Sequence, residues 1–292
     1  MSPFGLPDRD PAIDPQFTLD SIPDIASVRA RRTQAAAEGL AQFPARRRIA
    51  YGPGHNETLI LFAPPPAGPP APLQIFIHGG FWSAMEAADF GFLAPGFVPF
   101  GSALALIDYP LIPHVRMADI IAACRRAIAF LHRQAGAYGI DPDRIFISGN
   151  SAGGHLVGEL MDRSWTQAAG LPLDVIKGGT AISGLFDLVP VAASFQNDAL
   201  GFTAEEISMF SPLRHPAAIA APMIITVGGD ETAEFLAQSA RFAEHVRAGG
   251  AAVDHLVVPG TNHITIVLDE FAVPGTALNQ AVLRQMGLSG RQ

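Results

Sequence analysis

Short apolar runs alternating with longer amphipathic stretches set the rhythm of this chain. Leu73 to Ile77, Ala103 to Ile107, Arg144 to Ser148, Val175 to Ile182, Met223 to Val227 and Val253 to Val258 are rich in apolar or β-branched residues, the pattern of strands buried on both faces. Most are separated by stretches of helical period: Met117 to Tyr138, Ala152 to Arg163 and Ala233 to Ala248. Strands alternating with helices predict an α/β architecture, a mostly parallel central sheet with helices on both faces. Two further strands, Arg48 to Tyr51 and Glu57 to Phe62, precede a proline-rich connector at 64–70 that cannot pair within a sheet.

The N-terminal region follows a different pattern. Residues 1–23 carry many Pro and Asp and predict an extended arm rather than a packed element. Ile25 to Phe43 predict one amphipathic helix, placed either over a site mouth or simply on the surface. The organisation expected is therefore an arm and helix over 1–44 and one domain over 45–292. A cap insertion is expected around 184–213, between two core strands.

Composition narrows the functional classes. With 49% of 292 residues apolar, a full core can be buried. A charged fraction of 16% and a net charge of −8 provide no phosphate-neutralising surface, so nucleic acid is not an expected partner. The single cysteine, Cys124, rules out an internal disulfide and reads as a small buried hydrophobe on a helix face. Met1 to Pro15 lack the apolar core of a leader, and no run of about eighteen apolar residues suggests a membrane span. A cytoplasmic protein is expected, with a small-molecule substrate and, at most, further copies of itself as partners.

The candidate chemistry sits at strand ends. Gly149-Asn150-Ser151-Ala152-Gly153 follows one predicted strand and opens the next helix, the setting of a nucleophile elbow with Ser151 at its apex. The helix start leaves unpaired N–H groups there, so the Ala152 N–H is an expected oxyanion donor. His78-Gly79-Gly80-Phe81-Trp82 follows another strand. Its glycine N–H groups, Gly79 and Gly80, would complete the oxyanion hole, while His78 holds the loop and Phe81 and Trp82 wall the reacting group.

A serine needs a base and an orienting acid, and in this chain order both follow it. His263, after the strand Val253 to Val258, is the expected base. Asp230, after Met223 to Val227, is the expected acid, preferred over Glu231 and Glu234, which read as the solvated start of a helix. His155, one helical turn past the serine, bounds the pocket or packs beneath the elbow. Phe186, with Phe195, Phe202 and Phe210, comes from the cap region, and its expected role in the pocket competes with ordinary packing. No histidine pair has metal-ligand spacing, so neither a metal nor a cofactor is expected.

At these residues the sequence resembles the serine-type kynurenine formamidases (arylformamidases), a branch of the α/β hydrolases near the hormone-sensitive-lipase-like esterases. The similar segments are Tyr51-Gly52-Pro53, His78 to Trp82, Gly149 to Leu156, Ser211-Pro212-Leu213-Arg214 and Gly228 to Phe235, together spanning roughly residues 45–287. Asn150 stands where the formamidases commonly carry His. The resemblance implies an α/β-hydrolase fold and cofactor-free hydrolysis of an N-formyl aryl amide or a small carboxylic ester. A short-chain or aryl carboxylesterase is the enzymatic alternative, and a non-catalytic binder of small ligands the alternative of another class.

Overall fold

The computed structural model describes residues 5–64 and 68–288; the first four residues of the arm, the middle of the proline-rich connector and the last four residues lie outside them. Eight strands among the described residues form one sheet in the order β1-β2-β4-β3-β5-β6-β7-β8. They are β1 (Arg47–Ala50), β2 (Thr58–Phe62), β3 (Ala71–Ile77), β4 (Ala103–Ile107), β5 (Ile140–Asn150), β6 (Ile176–Ile182), β7 (Met223–Gly228) and β8 (Val253–Val258). β1 and β2 join antiparallel at one edge and the other strands run parallel. All residues of β3, β4 and β7 are buried, because helices cover both faces of these inner strands. β8, at the free edge, alternates between half-buried and exposed positions.

Helices Met117–Arg133, Ala152–Met161 and Ala233–Ala248 form where the helical period was read, the first ending five residues before Tyr138, with a separate 3₁₀ turn over Ala135–Tyr138. Cys124 is fully buried on the first of them, and burial pushes its thiol up to about 12. Between β6 and β7 lie three short helices, Leu188–Ala193, Asn197–Leu200 and Ala204–Met209. Arg116 ties this segment to the core by binding Glu206 and the carbonyls of Leu200 and Gly201.

The N-terminal arm departs from its expected form. Pro11–Phe17 is a 3₁₀ helix, capped by the Asp10 carboxylate, and Phe17 is only 2% exposed. Its ring meets Phe235 edge-on at 6.1 Å, while Thr232 donates to the Gln16 carbonyl and the Glu234 N–H donates to the Gln16 side chain. Proline and aspartate composition hides this because one apolar residue, Phe17, supplies the burial that pins the segment. Helix Ile25–Gln42 forms as expected, and its Gly39 lies where a Cβ would come within 2.3 Å of the Gly91 carbonyl.

Candidate active site

Parallel strands direct their carboxyl ends to one edge of the sheet, where open α/β sheets gather their functional groups. β3 and β5 are neighbours with Ile77 opposite Gly149, so the loop His78-Gly79-Gly80 lies beside Asn150 and Ser151. Ser151 has φ 59° and ψ −119°, a conformation that an L-residue adopts only under constraint. Close packing supplies that constraint. A Cβ on Gly149 would come within 2.4 Å of the Gly153 carbonyl, and one on Gly153 within 2.0 Å of the Ile77 carbonyl. The Ser151 N–H is held by Ile182 at the end of β6, at 2.9 Å.

His263 and its acidic partner approach from β8 and β7. Nδ1 of His263 lies 2.6 Å from Oε2 of Glu231, whose side chain is 1% exposed. Because a carboxylate only accepts, Nδ1 carries the proton and Nε2 is left as the basic nitrogen. The other Glu231 oxygen, Oε1, accepts from the Ser183 hydroxyl and from the Gly228 N–H at 2.8 Å. Three donors thus fix the carboxylate. Phe235 packs on the imidazole at 4.4 Å between ring centroids and keeps its plane in place.

This arrangement corrects the expected acid. Asp230 is exposed and its backbone N–H binds the Thr261 carbonyl, while the residue after it turns inward beneath His263. The turn Gly229-Asp230 leaves the strand, and the longer glutamate then reaches back to Gly228. Ser183 escaped sequence reasoning. Its position directly after β6, at the same sheet edge, was the available signal, and its φ of 49° marks it as a constrained residue.

The expected oxyanion donors lie around Ser151. A Cβ on Gly79 would sit 3.1 Å from the Ser151 Cβ, so the glycine backbone approaches Ser151 as no larger residue could. Ala152 is the first helical residue, and its N–H is one of those for which a helix provides no partner. His78 is buried with its pKa lowered by desolvation, stacks on Tyr109 at 4.2 Å and donates from Nδ1 to the Gly79 carbonyl. The Tyr109 hydroxyl donates to the His78 carbonyl, so the loop is braced from both sides.

A cavity of about 90 Å³ connects these groups: Gly79, Gly80, Phe81, Asn150, Ser151 and His263 line it, with an apolar wall that includes Met85, Phe90 and Phe92. Three larger clefts, about 180, 230 and 330 Å³, are lined by other residues and contain neither Ser151 nor His263, so chemistry rather than volume identifies the site.

Three expected pocket residues stand outside this cavity. Trp82 is fully buried and donates from Nε1 to Nδ1 of His155. His155 donates from Nε2 to the Phe210 carbonyl, which fixes its neutral tautomer, and burial lowers its pKa to about 4. Both φ angles at Phe81 and Trp82 are positive, and this turn sends Phe81 to the cavity and Trp82 to the core. Phe186 is stacked on Phe242 at 3.8 Å and fully buried, so its apolar surface is already used in packing. No group of three or more metal-ligating side chains occurs among the described residues, and none of their helices is long and apolar enough to cross a membrane.

A family model described as BD-FAE matches residues 59–163, which include the glycine loop and the elbow. The kynurenine formamidase of Salmo salar is 28% identical over 87% of this chain and 85% of its own length. The isoprenylcysteine alpha-carbonyl methylesterase of Arabidopsis thaliana is 25% identical over 77% of this chain and 58% of its own length. Among solved structures, a Silicibacter sp. protein provisionally described as a thioesterase superposes with a TM-score of 0.79 and 28% identity, covering 92% of this chain and 98% of that one. The sheet, its helices and these likenesses give the chain an α/β-hydrolase fold and make it similar to the kynurenine formamidases.

Proposed function

We propose that the protein is a serine hydrolase that cleaves a small aryl formamide, of the N-formylkynurenine kind, or a small carboxylic ester through an acyl-enzyme. Ser151 is the nucleophile, His263 the general base and Glu231 the acid that orients it. The observation that carries this reading is the His263–Glu231 pair, 2.6 Å apart, facing the cavity that the elbow serine also lines.

In this mechanism Nε2 of His263 takes the Ser151 hydroxyl proton as the oxygen attacks the carbonyl carbon. Glu231 stays ionised and stabilises the imidazolium that forms, and the Ser183 and Gly228 donors keep its charge from being buried unpaired. The N–H groups of Gly79, Gly80 and Ala152 receive the oxyanion, a contribution of about 3 kcal/mol for each donor. Collapse of the tetrahedral species expels the amine or alcohol, which takes its proton from His263. Water, activated by the same imidazole, then releases the acid.

The small cavity favours a short acyl group such as formyl or acetyl, since ordinary ligand pockets start at about 300 Å³. The names of the relatives support both a formamide and an ester as the cleaved group. Turnover of N-formylkynurenine and of 4-nitrophenyl acetate by wild type and Ser151→Ala tests the reading. The variant is expected to lose turnover by about 10⁴-fold or more on whichever substrate reacts. Retained turnover would overturn the assignment, and reaction with the ester alone would leave the carboxylesterase reading.

A further inference from the structure

The wall of the Ser151 cavity contains a charged side chain that the mechanism leaves unused. Arg32, on the N-terminal helix Ile25–Gln42, lines it together with Leu19 of the arm. Among the described residues its guanidinium makes neither a hydrogen bond nor an ion pair, although it is only half-exposed. Asp89 favours its charge from beyond contact range, with one carboxylate oxygen already accepting from the Glu86 N–H, and Arg29 on the same helix adds like charge. Partial burial lowers the guanidinium pKa, but an arginine remains cationic at any working pH.

A partly desolvated guanidinium without a protein partner has its donors available for an anion, and its fork matches a carboxylate. Phe81, Met85, Phe90, Phe92 and Val267 give the wall an apolar part that suits an aryl or alkyl body. We propose that Arg32 is a specificity determinant which binds a substrate carboxylate remote from the scissile bond, so that the preferred substrates are amides or esters with an apolar body and a free carboxylate. This rests on the reading of Ser151 as the nucleophile of the same cavity. It also gives the N-terminal segment a role, since a chain with a net charge of −8 needs a local cation to attract an anion.

The test compares kcat/KM for N-formylkynurenine, whose carboxylate is free, with that for its α-carboxamide, which keeps the ammonium group but lacks the carboxylate, in wild type, Arg32→Met and Arg32→Lys. The expected wild-type preference for the carboxylate is at least tenfold. Arg32→Met should reduce that preference at least tenfold, mainly through KM, and Arg32→Lys should restore part of it. An equal preference in wild type and Arg32→Met would overturn the proposal. A second readout does not depend on turnover: kynurenine should raise the Tm of Ser151→Ala more than kynurenine carboxamide does, and this difference should vanish in Ser151→Ala/Arg32→Met. Should wild type cleave neither compound, the formamidase reading fails, whereas the Tm comparison still decides whether Arg32 selects the carboxylate. Arg32→Gln replaces the methionine variant in both measurements if that variant does not fold.

Discussion

At the residue scale the decisive choice lies between two adjacent acids. Glu231 is buried under His263 with three donors on its carboxylate, whereas Asp230 points to solvent. Glu231→Gln should therefore lower kcat by about 10²–10⁴-fold, because an amide cannot fix the productive imidazole tautomer. Asp230→Asn should change kcat less than about threefold. Steady-state kinetics on one substrate checks both, and a larger loss in the Asp230 variant would reverse the assignment. That Ser151 and His263 would meet in one cavity was legible in the sequence, because strand-turn-helix context and chain order constrain them locally. The acidic partner of His263 was not, because the two-residue turn after β7 decides which of two neighbouring carboxylates faces inward. Trp82 and Phe186 were misplaced for a related reason. Sequence shows that an aromatic ring is present, while the sign of φ at Phe81 and Trp82 and the stacking on Phe242 decide where it goes.

At the scale of elements, the strands were the most legible part, since continuous apolar runs leave few alternatives to burial on both faces. β4 and β8 run over the residues expected, and β5 extends farther in both directions, starting before the apolar stretch at Ile140. The arm was the least legible element. Its docking depends on Phe17 meeting Phe235, more than two hundred residues away, and Phe235 in turn packs on His263. Phe17→Ala should weaken that docking by about 3 kcal/mol, the usual cost of truncating a buried phenylalanine. The expected result is faster proteolysis within residues 5–24 and a lower kcat/KM, since Leu19 and Arg32 form part of the cavity wall. Unchanged proteolysis would show that the arm is held elsewhere.

At the scale of the whole molecule, two buried groups on the elbow helix Ala152–Met161 set opposing responses to pH. His155 is held neutral, with its pKa lowered to about 4 by burial against an ordinary 6.5. Its contribution is fully present above pH 6.5 and is lost as pH falls towards 4, because only the unfolded chain takes the proton in that window. Glu159 has its pKa raised to about 7, chiefly by burial, with Asp162 adding to the shift and Arg125 opposing it. Its contribution is fully present below pH 4.5 and is lost as pH rises towards 7. Each is worth about 3 kcal/mol, so between pH 4.5 and 6.5 the two slopes largely cancel. Glu159→Gln should consequently show a Tm that climbs more steeply with pH across this range than wild type does, and His155→Gln a Tm that climbs less. Thermal melts at half-unit pH intervals check this, and parallel curves for the three proteins would contradict it.

The proposed activity depends on one activated hydroxyl among the chain's serines. A constrained elbow, an imidazole oriented by a buried glutamate and adjacent glycine N–H groups should together make Ser151 react rapidly with a fluorophosphonate probe. The most direct measurement is intact-mass and peptide mass spectrometry of the protein after brief exposure to such a probe, alongside Ser151→Ala and Glu231→Gln. The predicted result is a single adduct on Ser151, absent in Ser151→Ala and much slower to form in Glu231→Gln. An unmodified wild-type protein, or an adduct on another residue, would contradict the central claim.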